Sequence, residues 1–236
     1  MINLYPNQAK GKQHEHKSHE QEQCAVNGEL RSLAIAQDAV AHEFFHGLTS
    51  QIIGFYGFVY SEESGALDES YADIFAILVS NFHNTDIGQW KWEIGRGLGK
   101  GGSAIRDLSN PRRYNQPEHW NDYRELPMSE LPNIYNDWGW VHDNSGIHNK
   151  AAYNLLISQN DRGKYLLDAT SAAKLFYQAL SELSNTSTFS DSRHALEQSA
   201  KTFLRKARKI SNSVEIGRWE NIVGRISEAF DNVGIQ

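Results

Sequence analysis

Apolar residues in this chain recur mostly at intervals of three and four, the period of helices that bury one stripe. Residues 37–49, QDAVAHEFFHGLT, are predicted as a helix with Val40, Phe44, Phe45 and Leu48 on its buried face. An apolar, glycine-punctuated stretch, QIIGFYGFVY, follows, and the polar turn SEES closes it. Residues 65–80, GALDESYADIFAILVS, return to the helical period, as do 150–159, 171–183, 191–209 and 214–233. Residues 116–136, rich in Trp, Tyr and Pro, read as a long loop, either a functional one at a cleft or, at least as readily, an ordinary surface excursion. The expectation is a mainly α fold with one folded region over 29–236.

Residues 1–28 carry no such stripe. They include HEHKSHEQEQ, a composition too polar to bury a core, and predict a solvated arm. Its His14, His16 and His19 could hold a loosely bound metal ion, as His-rich tracts sometimes do. Nothing before residue 37 reads as a strand.

Composition narrows the function classes. A net charge of −6 over 236 residues gives no general case for nucleic-acid binding, and the basic run FLRKARK (203–209) fits a solvated helix face. No apolar run approaches a membrane span. The opening MINLYPNQAKGK lacks the apolar core of a secretory signal, so any export signal is expected to lie outside this sequence. With Cys24 as its one cysteine, the chain forms no internal disulfide and points away from a Cys-based zinc site.

The chemistry concentrates in His-Glu-x-x-His. His42 and His46 are four apart, so on a helix both imidazoles reach one zinc ion from consecutive turns. Glu43 lies to one side, placed to take a proton from a water on the metal without ligating it. A buried helix with two merely hydrogen-bonded histidines could carry the same five residues, so the rest of the chain must decide. A catalytic zinc site takes three protein ligands and a water, and Glu69 is the natural third. Asp73, one turn further on, is placed to accept the free ring N–H of a ligating histidine.

HEFFHGLT followed by GALDESYADIFA resembles the thermolysin-like zinc metallopeptidases, whose pattern is His-Glu-x-x-His, then Gly-Ala-x-Asn-Glu-x-x-x-Asp. IRDLSNPRRY (105–114) is similar to the family's segment carrying an arginine for the substrate carbonyl, which implies that role for Arg106. DWGWVHDNSGIHNKAAYNLL (137–156) resembles the segment of the second catalytic histidine. That likeness implies His142 as the stabiliser of the tetrahedral oxyanion, Asp137 as the carboxylate orienting it, and Tyr60 as a second oxyanion donor. ISEAFDNVGI resembles the family's closing helix, so the likeness runs from about residue 28 to the end. It also implies peptide or protein substrates, a secreted location, and a bulky apolar residue after the cut, served by Leu30, Leu33, Ala39 and Ile105. His148 matches no functional position and reads as structural or surface, while His83, His119 and His194 have no evident partner.

Three departures stand against that pattern. The family's double calcium site is not expected to hold an ion here. Asp38 and Glu93 remain, but Ser80, Lys91 and Arg96 stand where calcium-binding members carry acids. Three extra residues separate His46 from Glu69, lengthening the loop before the third-ligand helix. The β-rich lobe that precedes the central helix in the family is expected to be largely absent, and its substrate-aligning Asn-Ala motif is not recognisable. The apolar surface around Leu30, Leu33 and Phe44 would then be partly uncovered, leaving a missing lobe or propeptide as an expected partner. The competing expectation is a zinc-binding fragment with little or no turnover.

Overall fold

The computed structural model describes residues 23–26, 29–54 and 56–236, with side chains from Ser32 onward except Phe55. Two short strands, β1 (Gln23–Val26) and β2 (Glu29–Ser32), pair antiparallel, Ala25 opposite Leu30. This corrects the expectation that nothing before the central helix is a strand. The overlooked signal is Asn27-Gly28 between the two segments, the dipeptide most favoured in tight hairpins. His14, His16 and His19 lie outside the described residues, as do the side chains of Cys24 and Leu30.

Helices dominate the rest. The central helix α1 (Gln37–Ile52) leads through a glycine-bearing loop into α2 (Glu62–Ser80), which α3 (Asp137–Leu156) covers from the other side. Between α2 and α3 the chain makes one small antiparallel ladder, β3 (Glu93–Ile94) with β4 (Arg106–Asp107). The C-terminal part is a bundle of α4 (Ala169–Leu180), α5 (Phe189–Lys209) and α6 (Ser213–Asp231), with α6 also against α3. Among the described residues no helix is long and apolar enough to cross a membrane.

The core explains this arrangement. On α2, Leu67, Tyr71, Ala72, Ile74, Ala76 and Ile77 are fully buried and face several directions, as expected of a helix enclosed on all sides. Gly65 permits the close approach of α3, because a Cβ there would stand 2.6 Å from Val141 Cγ1. Side-chain caps fix the later helices. Asp168 accepts from Ser171 N at 2.7 Å, and Thr188 and Asp191 form a capping box at α5. Glu63 of α2 accepts from Phe189 N at 2.8 Å and ties α5 to the central layer.

Two sequence expectations need correction. The inner face of α1 carries Ala39, His42, Phe45 and Thr49, while Val40 and Phe44 are 48% and 75% exposed. Site residues occupy the stripe toward α2, which displaces part of the apolar pattern outward. The third helix also begins well before 150, its right-handed turns starting at Val141 after a left-handed turn over 137–140, because burial of Asn144, Ser145 and Gly146 overrides their poor helix propensity.

Candidate metal centre and active site

Helix periodicity places His42 and His46 on the α1 face toward α2, and α2 presents Glu69 to them. His42 Nε2 lies 3.0 Å from His46 Nε2 and 3.3 Å from Glu69 Oε2. His46 Nε2 lies 3.5 Å from Glu69 Oε1. Zinc bonds of about 2.0–2.1 Å in a tetrahedron separate neighbouring ligands by about 3.3 Å. The three donors therefore fit a zinc ion in both chemistry and spacing. Among the described residues these three side chains form a group able to hold a metal. Glu43 is half-buried on α1, directly after His42.

Carboxylates behind the imidazoles fix which nitrogens face the site. His42 Nδ1 is 2.8 Å from Asp73 Oδ1, with both side chains fully buried. His46 Nδ1 is 3.0 Å from Asp68 Oδ2. Each ring thus donates from Nδ1 and turns the Nε2 lone pair inward, the arrangement a metal ligand needs. Sequence reasoning missed Asp68. The signal was available, since the family pattern has Asn at the place where this chain has Asp, one residue before the third ligand.

Arg106 enters from β4 and donates from Nη2 to Asp73 Oδ1 at 2.7 Å, with only 3% of its surface exposed. Its Nε is buried and has no hydrogen-bond partner among the described residues. Burial would drive the Asp73 carboxyl upward, but Arg106 and His42 hold it down at about 2. Glu69 follows the same logic. Burial opposes its charge, yet His142 and His46 keep it well below the usual carboxylate range.

On the opposite wall, Tyr60 donates to Glu69 Oε1 at 2.5 Å, and its hydroxyl lies 3.4 Å from His142 Nε2. Burial, then the Glu69 charge, pushes the Tyr60 phenol upward, so it remains a donor. Asp137 Oδ1 accepts from His142 Nδ1 at 2.5 Å, and Oδ2 accepts the His142 backbone N–H at 3.0 Å. Burial lowers the His142 pKa, but Glu69 and Asp137 outweigh it and the value is raised. A left-handed turn aims Asp137, with positive φ at Asp137, Trp138, Gly139 and Trp140. Such backbone costs about 1–2 kcal/mol per non-glycine residue and persists where surrounding contacts enforce it. The 116–136 loop supplies some of them. Gln116 Nε2 donates to His142 O at 2.6 Å, and Arg124 N to Asn144 Oδ1 at 2.9 Å.

Leu33 and Ala39 are buried with Ala36 and Leu98, and Ile105 packs on this small cluster. The structure thus brings three of the four residues assigned to the apolar pocket together, and Leu33 is covered rather than exposed. At the positions matching the calcium site, Glu93 pairs with Arg96 and, at 2.9 Å, with Arg113. Asp38 Oδ2 accepts from Gly95 N at 2.9 Å, and Ser80 and Lys91 are exposed. His148 is fully buried, which excludes a surface role. His119 accepts from Asn121 N at 3.1 Å, His194 Nδ1 is 2.8 Å from Ser190 O, and His83 lies edge-on to Phe82.

A family model described as "Thermolysin metallopeptidase, alpha-helical domain" matches residues 56–235. The chain belongs to the thermolysin metallopeptidase family. This thermolysin-family chain is 38% identical over 165 residues to "Neutral protease NprE" of Bacillus pumilus, covering 70% of the chain and 47% of the relative. It is 33% identical over 207 residues to "Extracellular elastase" of Staphylococcus epidermidis, covering 86% of the chain and 33% of the relative. A solved structure titled as the precursor of protealysin, a metalloproteinase from Serratia proteamaculans, matches with a TM-score of 0.61 and 25% identity. That match covers 87% of this chain and 59% of the other. The chain thus spans less than half the length of these two curated relatives.

Proposed function

We propose that the chain carries the catalytic centre of a zinc-dependent metalloendopeptidase. The observation that carries this reading is the convergence of His42 Nε2, His46 Nε2 and the Glu69 carboxylate at 3.0–3.5 Å, with Glu43 next to His42 on the same helix. His42, His46 and Glu69 would hold zinc, which when bound supplies a positive charge that acidifies water and polarises a carbonyl.

Glu43 takes the proton of the attacking water and delivers it to the departing amine nitrogen. His142, held by Asp137, and Tyr60 donate to the carbonyl oxygen as it gains negative charge. Arg106, anchored on Asp73, is the guanidinium that grips a substrate backbone carbonyl. The Leu33, Ala39 and Ile105 cluster favours a bulky apolar side chain after the cut. The substrates are peptides or proteins. An extracellular location follows the name of the staphylococcal relative.

A second reading has one observation in its favour. Phe44, beside Glu43, is 75% exposed on the outer face of α1, as expected if another segment lies there in the working enzyme. On that reading this region binds zinc but aligns substrate poorly.

Glu43→Gln in the full chain tests the first reading. It should retain one zinc and lose hydrolysis about 10²–10⁴-fold, the usual contribution of a positioned base. His46→Ala should lose the metal. Full turnover by a zinc-loaded Glu43→Gln chain would overturn the mechanism. A zinc-loaded wild type without peptidase activity would favour the second reading.

A further inference from the structure

His148 on α3 belongs to a fully buried polar chain that spans three helices and reaches the candidate metal centre. Tyr71 OH lies 2.9 Å from Ser192 Oγ, which lies 2.9 Å from His148 Nε2. On the other side of the ring, His148 Nδ1 lies 2.7 Å from Ser70 Oγ, and Ser70 Oγ lies 2.7 Å from Asn149 Oδ1. Asn149 Nδ2 donates to Asp73 Oδ2 at 2.9 Å, and the other oxygen of Asp73 is 2.8 Å from His42 Nδ1. Every member is at most 1% exposed.

The donor and acceptor capacities of these groups leave one direction for the protons. The ionised Asp73 only accepts, so the Asn149 amide turns its NH₂ toward Asp73 and its oxygen toward Ser70. That oxygen only accepts, so the Ser70 hydroxyl spends its single proton on it. Ser70 can then only accept from His148, which must carry its proton on Nδ1. The Nε2 lone pair accepts from Ser192, and Ser192 accepts from Tyr71. All six links run toward Asp73, the last being the Nδ1–H of His42 from the opposite side.

We infer that His148 is a positioning residue for the zinc ligand His42, acting through Ser70, Asn149 and Asp73. The inference rests on the zinc reading above. A ring locked among Tyr71, Phe189 and Phe230, at centroid distances of 5.5–5.6 Å, holds the Ser70 hydroxyl in one rotamer. That rotamer fixes the Asn149 amide, and the amide fixes the carboxylate plane of Asp73. The Asp73 carboxylate in turn holds His42 in the tautomer that turns Nε2 toward the metal. Burial keeps the His148 pKa down at about 3, so the ring stays neutral, with one donor and one acceptor as the chain requires.

The test compares His148→Phe, which keeps an aromatic ring but removes both nitrogens, with His148→Gln, which restores one donor and one acceptor. Zinc affinity is measured in the full chain by competition with a chelating dye, alongside the melting temperature of the metal-free protein. The His42 tautomer is read from ¹⁵N shifts of the metal-free protein. His148→Phe should weaken zinc binding about tenfold and mix the His42 tautomers, while His148→Gln stays close to wild type. Ser70→Ala should weaken binding similarly, and adding His148→Phe to it should cost little more.

A lowered melting temperature with unchanged zinc affinity and tautomer would make His148 a packing residue and overturn the inference. Fully additive losses would overturn the route through Ser70. Should His148→Phe fail to fold, Ser70→Ala with wild-type zinc affinity would overturn it equally. A wild-type chain that takes up no zinc would instead overturn the zinc reading, and this inference with it.

Discussion

Arg106 Nη2 donates to Asp73 Oδ1 across 2.7 Å, and neither side chain has appreciable contact with solvent. Removing one member of such a pair strands the other charge in the interior, at a cost of about 3–5 kcal/mol. Asp73→Ala should therefore lose about that much stability in a urea titration of the metal-free chain, besides weakening zinc binding. A loss below about 1 kcal/mol would mean that water reaches Arg106.

His148 gives the pH dependence a definite sign. Its folded pKa, about 3, lies below the unfolded value of about 6.5, so the unfolded chain binds the extra proton between those limits. The His148 contribution is whole above about pH 6.5 and declines as pH falls toward 3, by about 1.4 kcal/mol per unit. At pH 5 wild type should have lost about 2 kcal/mol that His148→Gln does not lose. The comparison must be between the two chains. His46 and His142 have raised pKa values in the metal-free protein and act in the opposite sense in both. Parallel pH–stability curves would contradict the assignment.

How much of this was legible in the sequence depends on the distance between partners. His42, Glu43 and His46 declare themselves within five residues, and Glu69 and Asp73 fall on one helical face within a short interval. The later helices follow their apolar period to within a few residues. The inner face of α1 was misread because hydrophobicity ranks Val40 and Phe44 above His42 and Thr49, whereas the site takes the buried stripe. The His148 chain joins Ser70, Asn149 and Ser192 from three helices, and no local pattern links residues so far apart. Asp68 was visible only as a departure from a family motif.

Gly65 sits where α2 meets α3, and a Cβ there would stand 2.6 Å from Val141 Cγ1 and 3.0 Å from the Tyr60 carbonyl carbon. Gly65→Ala should cost about 1–3 kcal/mol by overpacking and displace Tyr60 from the site. The stability loss is read by urea titration, and the displacement by reduced peptidase activity at full zinc occupancy. An unchanged midpoint and activity would show that the two helices separate freely.

At the calcium-matching positions, Glu93 is taken by Arg96 and Arg113, and Asp38 by the Gly95 amide. A cation would have to displace both guanidinium groups and meet their positive charge. Adding calcium should leave the melting temperature unchanged, since only an ion bound to the folded state stabilises it. A calcium-dependent rise that Asp38→Asn abolishes would contradict this.

The proposed mechanism depends most on where zinc sits. Anomalous diffraction collected at the zinc edge from crystals of the zinc-loaded full chain measures this directly. The expected result is one strong peak about 2.0–2.2 Å from His42 Nε2, His46 Nε2 and a Glu69 oxygen, lost in His46→Ala. A peak confined to another cluster of side chains, with none between α1 and α2, would contradict it.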